Sequence, residues 1–202
     1  MTGIKLVNLN MLFDEIGEEY AKSCLSSFSC PCNMDVENFI KHKAIDFAKQ
    51  GVSQTHLVML SHKGKPVIAG YFTLANKYIT ISSKNLSNDL RRRLRRFSIY
   101  DVNLKSYCLS APLIAQLGKN YQNSYDKLIK GDTLLTIACD KVKSIQFDLG
   151  GRFAYVECEE KQKLINFYTS NGFYEFDTRR LDRDETDVSG TRLIQMLKYM
   201  SK

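Results

Sequence analysis

Apolar and polar residues follow two rhythms along the chain, and each change of rhythm marks a new element. From Ala111 onward, Leu113, Ile114 and Leu117 form a short apolar run that stops at Gly118, Lys119 and Asn120, as a buried strand does when turn-forming residues end it. Tyr121 to Ile129 is polar and tyrosine-bearing. Lys130, Gly131, Asp132 and Thr133 then lead into Leu134, Leu135, Ala138, Val142 and Ile145, an apolar set at helical spacing. A strand that passes through such a loop into a helix offers several backbone N–H groups at the positive end of a helix dipole, where anions and especially phosphates bind.

Upstream, Ile4 to Leu9 alternates as a short strand, and Asn10 offers a cap to a first helix carrying Leu12, Phe13, Ile16, Tyr20 and Cys24. Ser26 to Asn33, with Pro31, breaks that pattern. Val36, Phe39, Ile40, Ala44, Phe47 and Ala48 then predict a second amphipathic helix, which Gly51 is placed to end. His56 to Leu60 and Val67 to Leu74 read as an antiparallel hairpin turning at Gly64-Lys65-Pro66, with Tyr78 to Ile81 extending the meander. Leu86, Leu90, Leu94 and Phe97 line one face of a helix whose remainder carries Arg91, Arg92, Arg93, Arg95 and Arg96, a cationic surface helix.

Downstream, Gly150 and Gly151 mark a turn before the strand Arg152 to Cys158. Phe153, Tyr155 and Glu157 share one side of it, and Ala154, Val156 and Cys158 share the other. Glu159 and Glu160 are expected to open a helix where they complement its dipole. Leu164, Ile165, Phe167 and Tyr168 supply its apolar side, and Asn171 and Gly172 end it. Phe173 to Phe176 restarts as a strand, a charged link runs from Asp177 to Asp187, and Leu193 to Tyr199 makes the last strand. With no internal repeat or low-complexity linker, residues 1–202 read as one mixed α/β domain.

Composition narrows the class. At 44% apolar and 25% charged residues the chain is long enough to bury a substantial core. The longest apolar stretch, Val67 to Ala75, falls far short of the roughly 18 residues a membrane span needs. Met1, Thr2, Gly3, Ile4 and Lys5 do not begin a basic region with an apolar core behind it, so a cytoplasmic location is expected. Cys24, Cys30, Cys32, Cys108, Cys139 and Cys158 show no Cys-x-x-Cys pairing, and His42, His56 and His62 are the only histidines. Reduced thiols and no metal site follow. Cys30-Pro31-Cys32 is the one local oddity. The net charge of +7 favours anionic partners such as cofactor phosphates or nucleic acid.

The order of elements, the loop ending in Lys130-Gly131-Asp132-Thr133, and above all Asn166-Phe167-Tyr168-Thr169-Ser170-Asn171-Gly172-Phe173 resemble the GNAT acyltransferase family. The last of these is similar to the family's helix-to-strand signature of Phe-Tyr, three residues, then Gly-Phe. The resemblance covers most of the chain and is most specific from Ala111 to Phe176. A narrower likeness lies in Phe28 and Cys30, in Val36-Glu37-Asn38-Phe39-Ile40 and in Gly51-Val52-Ser53-Gln54-Thr55-His56. These resemble the lead-in of the GNAT subgroup that includes bacterial toxins acetylating aminoacyl-tRNA. One departure is plain: the family's Arg or Gln, x-x-Gly-x-Gly or Ala loop matches here as Leu128-Ile129-Lys130-Gly131-Asp132-Thr133, keeping only the middle glycine. The loop from Gly118 is also longer than the family's usual one.

The resemblance implies a central mixed, mostly antiparallel sheet flanked by helices, with one splayed strand pair. It implies acetyl-CoA as co-substrate, the pantetheine arm beside Gln116, Leu117, Gly118 and Lys119, and the pyrophosphate on the amides of Lys130, Gly131, Asp132 and Thr133. Lys127 or Lys130 would add charge there. Direct transfer needs an uncharged amine, charge stabilisation on the thioester oxygen and a proton for the leaving thiolate. Tyr168 matches the position of the family's proton donor, and Glu157 is the candidate base.

Other roles stay open at this stage. Tyr168 also reads as a helix aromatic packed on the sheet, Glu157 as a salt-bridged carboxylate, and Gly118 and Gly131 as ordinary turn and helix-start glycines. Lys119, Lys130 and the arginine helix also read as solvated surface, with Phe97 and Tyr100 too few to suggest base stacking. Three functions fit. One is an N-acetyltransferase acting on a primary amine of a small molecule, peptide or protein. Another is a toxin-like enzyme acetylating aminoacyl-tRNA gripped by the arginines, and the third is a non-catalytic acyl-CoA-binding module. The oligomeric state is open, a homodimer included.

Overall fold

The computed structural model describes residues 3–84, 86–183, 188 and 190–201. In chain order the elements are β1 (Lys5–Asn8), α1 (Leu9–Ile16), α2 (Glu18–Ser26), α3 (Met34–Asn38), a wide π turn (Phe39–Lys43), α4 (Ala44–Lys49), β2 (Gln54–His62) and β3 (Lys65–Ser82). There follow α5 (Asn88–Phe97), β4 (Ile99–Asp101), β5 (Ser106–Lys119), a 3₁₀ segment (Gln122–Leu128) and α6 (Gly131–Leu149). The chain closes with β6 (Phe153–Glu159), α7 (Gln162–Ser170), β7 (Tyr174–Arg180) and β8 (Arg192–Tyr199). The strands run in the order β1, β2, β3, β5, β6, β8, β7, with β4 pairing β5 beside that path. Pairing is antiparallel from β1 to β3, at β4 with β5, and from β6 through β8 to β7. The pair β5 and β6 is parallel, with Leu113 opposite Tyr155. This is an open, mainly antiparallel sheet with flanking helices, as expected.

Two compact units make up the chain. One contains the chain up to Ala75 and Ile114–Ala138; the other contains Asn76–Leu113 and the chain from Cys139 onward. The first unit buries Leu9, Leu25, Phe28, Val36, Ile40, Ala44, Ile45, Leu57 and Tyr71 in one cluster. Its hairpin turns at Lys63 and Gly64, both with positive φ (51° and 76°), so Lys65 and Pro66 already belong to β3. The expected first helix is in fact two. Asn8 rather than Asn10 caps α1, its side chain accepting the Asn10 amide at 2.8 Å. The helix then breaks at Gly17, whose φ of +82° lies outside the helical region, and it restarts as α2 with Tyr20 exposed. The second expected helix is continuous only through its π turn.

The second unit buries Leu90, Leu94, Tyr107, Leu109, Leu113, Phe153, Tyr155 and Leu197 together. The predicted apolar face of α5 therefore exists, except that Phe97 is 40% exposed. Tyr78 to Ile81 is no separate strand but the far end of β3. β4 and the first five residues of β5 were not anticipated. Glu159 and Glu160 do not open α7: Glu159 ends β6, Lys161 is the N-cap, and the first turn of the helix has no acidic residue. Of the expected charged link, Asp177 to Arg180 is strand, while residues 184–187 lie outside the described ones.

Candidate active site

In the first unit, the end of β5 is fixed by the segment before it in sequence and the helices above it. Gln116 donates from Nε2 to Asp35 Oδ2 at 2.7 Å, which ties it to α3. Gly118 has a packing reason: a Cβ there would lie 2.3 Å from Val36 Cγ1. Only a glycine lets Val36 close on the strand, and the Tyr71 hydroxyl donates to Val36 O at 2.6 Å to hold that approach. Lys119 donates from Nζ to Asp126 O at 3.1 Å and lies 5.6 Å from the Tyr121 ring centroid. Leu117 is half-buried.

Asn120, 2% exposed, anchors the departing chain. Its amide donates to Ala69 O at 2.9 Å and its Nδ2 to Ile68 O at 2.9 Å. Its Oδ1 accepts the amides of Ser29 at 3.1 Å and Gln122 at 3.0 Å. The loop that follows passes through Asn123 and Ser124, both left-handed (φ 49° and 61°), before buried Ile129. The first intrahelical bond of α6 runs from Leu134 N to Lys130 O at 3.0 Å, so the amides from Gly131 to Thr133 precede the helical ladder. Lys127 and Lys130 are exposed near this end, and Asp132 puts a carboxylate on the first turn. These amides and the two cations suit a diphosphate.

In the second unit, Tyr168 is buried on α7, with its ring edge-on to Phe167 (5.1 Å) and Phe173 (5.6 Å). The Tyr168-to-Phe173 turn is closed by Phe173 N donating to Tyr168 O at 3.1 Å, and Gly172 between them has φ +81°. No described residue takes the Tyr168 hydroxyl as a hydrogen-bond partner. Burial, reinforced by the nearby thiols of Cys158 and Cys139, pushes this phenol well above its ordinary value. It keeps its proton at neutral pH, which leaves the hydroxyl able to donate a hydrogen bond.

Glu157 sits in a four-residue network. Arg179 grips it with Nε on Oε1 at 2.8 Å and Nη2 on Oε2 at 2.6 Å, reaching across β8. Tyr155 donates its hydroxyl to Glu157 Oε1, and Gln195 Nε2 donates to the Tyr155 hydroxyl oxygen at 2.6 Å and to Glu157 Oε1 at 3.2 Å. Burial alone would raise the Glu157 pKa. The Arg179 fork and the Tyr155 and Gln195 bonds outweigh it, and the carboxyl lies below its ordinary range. Burial, followed by the bond to that carboxylate, raises the Tyr155 phenol. Strand alternation puts Glu157 with Tyr155 on one face of β6, and Cys158, beside Tyr168, on the other. The structure therefore separates the two predicted catalytic side chains by the thickness of a strand.

The arginines of α5 are less free than their spacing suggests. Arg91 donates to Ser83 O at 2.9 Å, Arg92 pairs with Asp89 at 2.5 Å, and Arg95 donates to the Tyr107 hydroxyl at 3.3 Å. Arg93 stands 4.7 Å from the Tyr199 ring centroid. Phe97 packs against Phe153 and Tyr199, and Tyr100 against Tyr107. Arg92, Arg93, Arg95 and Arg96 nonetheless keep an exposed cationic face.

Sequence reading missed Asp35, Asn120, Tyr155, Arg179 and Gln195 as site-forming residues. Tyr155 shares the Glu157 face by alternation and could have been paired with it; Arg179 could not, because the connection depends on β8 lying between β6 and β7. Among the described residues, no cluster of three or more metal-binding side chains occurs, and no helix is long and apolar enough to cross a membrane.

No protein-family model matches this sequence, and no curated protein matches it. Solved structures do. AtaT complexed with acetyl-methionyl-tRNAfMet matches with a TM-score of 0.62 at 15% identity, over 95% of this chain and 93% of that one. A tyrosine-to-phenylalanine mutant of KacT gives 0.61 at 12% identity over 96% and 94%. AtaTR bound with acetyl-CoA gives 0.56 at 15% identity over 96% and 93%. The likeness is one of fold: the chain has a GNAT-like fold, in the form seen in AtaT and KacT.

Proposed function

We propose that this protein transfers an acetyl group from acetyl-CoA directly to a primary amine. The observation that carries the reading is Tyr168. It is a buried phenol on the helix-to-strand turn Phe167–Phe173, with its hydroxyl unused by any described residue and its proton held by burial. In this reading the hydroxyl donates to the sulfur as the thioester collapses. A coenzyme A thiol has a pKa near that of a cysteine, about 8.5, and an unperturbed tyrosine is about 10. Because burial lifts Tyr168 further, stabilisation comes from a strong hydrogen bond to the developing thiolate more than from complete proton transfer. The amides from Lys130 to Thr133, with Lys127 and Lys130, take the diphosphate, and the main chain from Gln116 to Lys119 takes the pantetheine arm.

Glu157 carries its charge at neutral pH with Arg179 on both oxygens. Lying on the face of β6 away from Tyr168, it stands in this reading as a salt-bridged carboxylate that Arg179, Tyr155 and Gln195 hold in the sheet, and not as the base for the amine.

A second reading makes the acceptor the α-amine of an aminoacyl-tRNA. The exposed arginine face of α5 favours it, as does the fold shared with AtaT, which has been solved with acetyl-methionyl-tRNAfMet. The deciding experiment incubates the protein with acetyl-CoA and pools of amines, peptides and charged tRNA, and follows thiol release and acceptor mass. One acetyl group gained on one pool, lost in Tyr168→Phe while acetyl-CoA still binds, is expected. Binding without turnover on any pool would leave only a non-catalytic acyl-CoA module.

A further inference from the structure

Cys30 and Cys32 have no part in the chemistry above, yet their sulfurs lie 3.6 Å apart. A four-residue turn puts them there: Asn33 N donates to Cys30 O at 2.9 Å, and Pro31 occupies the second position, where its fixed φ suits a turn. The two thiols differ in exposure. Cys30 is 3% exposed and Cys32 is open to solvent. We propose that this pair is an oxidation site for hydroperoxides, Cys32 reacting first and Cys30 closing a Cys30–Cys32 disulfide.

The steps balance without any further reagent. The Cys32 sulfur attacks one oxygen of hydrogen peroxide; an S–O bond forms, the O–O bond breaks, and the departing hydroxide takes the thiol proton and leaves as water. Cys32 is then a sulfenic acid. The Cys30 sulfur attacks Cys32, an S–S bond forms, the S–O bond breaks, and hydroxide takes the Cys30 proton and leaves as a second water. Two thiols lose two electrons and two protons, and one peroxide is reduced to two waters. Exposure selects the order, because peroxide reaches Cys32 but not Cys30. Burial and the neighbouring Cys32 thiol also push the Cys30 thiol up to about 12, which disfavours it as the first nucleophile, while its sulfur 3.6 Å from Cys32 places it to close the bridge.

The turn is wired to the loop that leads to α6. Tyr121 N donates to Ser29 O at 2.7 Å, Ser29 N donates to Asn120 Oδ1 at 3.1 Å, and Cys30 N donates to Glu37 Oε2 at 2.6 Å. The nearby Cys32 thiol, followed by burial, raises the Tyr121 phenol to about 12. Closing the disulfide redraws the turn that carries the Ser29 bonds to Asn120 and Tyr121 and so loosens residues 121–129 ahead of the Gly131 amides. Its effect on acetyl-CoA rests on the function proposed above.

The test uses the full chain with hydrogen peroxide, followed by thiol alkylation and chymotrypsin, whose cut after Phe28 separates Cys24 from the pair. The peptide holding Cys30 and Cys32 should escape alkylation, weigh two hydrogens less than its reduced form, and return to normal with dithiothreitol. In Cys30→Ser, Cys32 should be trapped by dimedone as a sulfenic acid; in Cys32→Ser, position 30 should stay a thiol. Sulfinic acid at Cys32 without a disulfide, a bridge to Cys24, or no reaction would overturn the assignment. Oxidation should also weaken acetyl-CoA binding about fivefold or more, a modest coupling. Equal affinity in both states refutes the coupling to the loop, whereas a disulfide in a protein that binds acetyl-CoA in neither state refutes the proposed function and leaves the thiol pair standing.

Discussion

Replacing Arg179 with Met tests how Glu157 is held. Glu157 and Arg179 side chains are 10% and 24% exposed, so the charge left behind is largely buried. Breaking such a pair costs about 3–5 kcal/mol, and partial exposure of Arg179 puts the expected loss near the lower end. The other limit is to protonate Glu157. From an unfolded value of about 4.3 to pH 7, at about 1.4 kcal/mol per unit, that costs close to 4 kcal/mol, and at pH 5 only about 1 kcal/mol. The sign of the pH dependence therefore reverses. In the wild type the Glu157 value is lowered, so its contribution is complete above the unfolded value and is lost as pH falls through the folded one. In the variant, burial without Arg179 raises Glu157; the folded state then holds the extra proton, and stability falls as pH rises from 5 to 7. Urea unfolding at the two pH values should give a variant-minus-wild-type loss larger by about 2 kcal/mol at pH 7. The double variant Glu157→Gln with Arg179→Met should lose that pH dependence, since glutamine does not titrate. A loss equal at both pH values, or under about 1 kcal/mol at pH 7, would refute the reasoning.

Three further outcomes follow from other residues. Gly118→Ala puts a methyl group against Val36 and should cost about 1–3 kcal/mol in thermal or urea unfolding, with part recovered by Val36→Ala. Tyr168→Phe removes a hydroxyl that no described residue uses, so stability should move by less than about 0.5 kcal/mol while acetyl transfer falls about 100-fold; an unfolded variant or unchanged turnover would remove Tyr168 from the mechanism. If aminoacyl-tRNA is the acceptor, binding should fall steeply with salt, and Arg92→Gln with Arg96→Gln should flatten the log–log salt slope by about two, measured by filter binding.

Local chemistry made much of this fold legible. The strand that ends at Lys119, the helix beginning at Gly131 and the α7 exit at Asn171-Gly172 all follow from turn residues and apolar spacing that act within a few positions. The break at Gly17 was hidden because Leu12, Phe13, Ile16 and Cys24 still fit one helical period across it. β4 was hidden because three residues, Ile99 to Asp101, are too few for alternation to show, and the start of β5 because Ser106 to Leu109 is buried as a continuous run and not on alternate positions. Site residues divided the same way. Gly118 was found for its turn chemistry, but the side chain that requires it, Val36, lies 82 positions earlier. Arg179 was read as part of a charged link, since only the order of β6, β8 and β7 brings it to Glu157.

The wide turn at Phe39–Lys43 acts as a phase adjuster. Ile40 and Ile45 are both buried although five positions apart, the repeat of a π turn. Deleting a single residue there would restore ordinary winding and rotate whatever lies on one side by about 100°. Were α4 kept seated, Asp35, Val36 and Glu37 would swing away together, and Gln116, Gly118 and the Cys30 turn would all lose their partners in one step. A one-codon deletion between Phe39 and Lys43 is thus a sharper perturbation of this end of the molecule than most substitutions of the residues it disconnects.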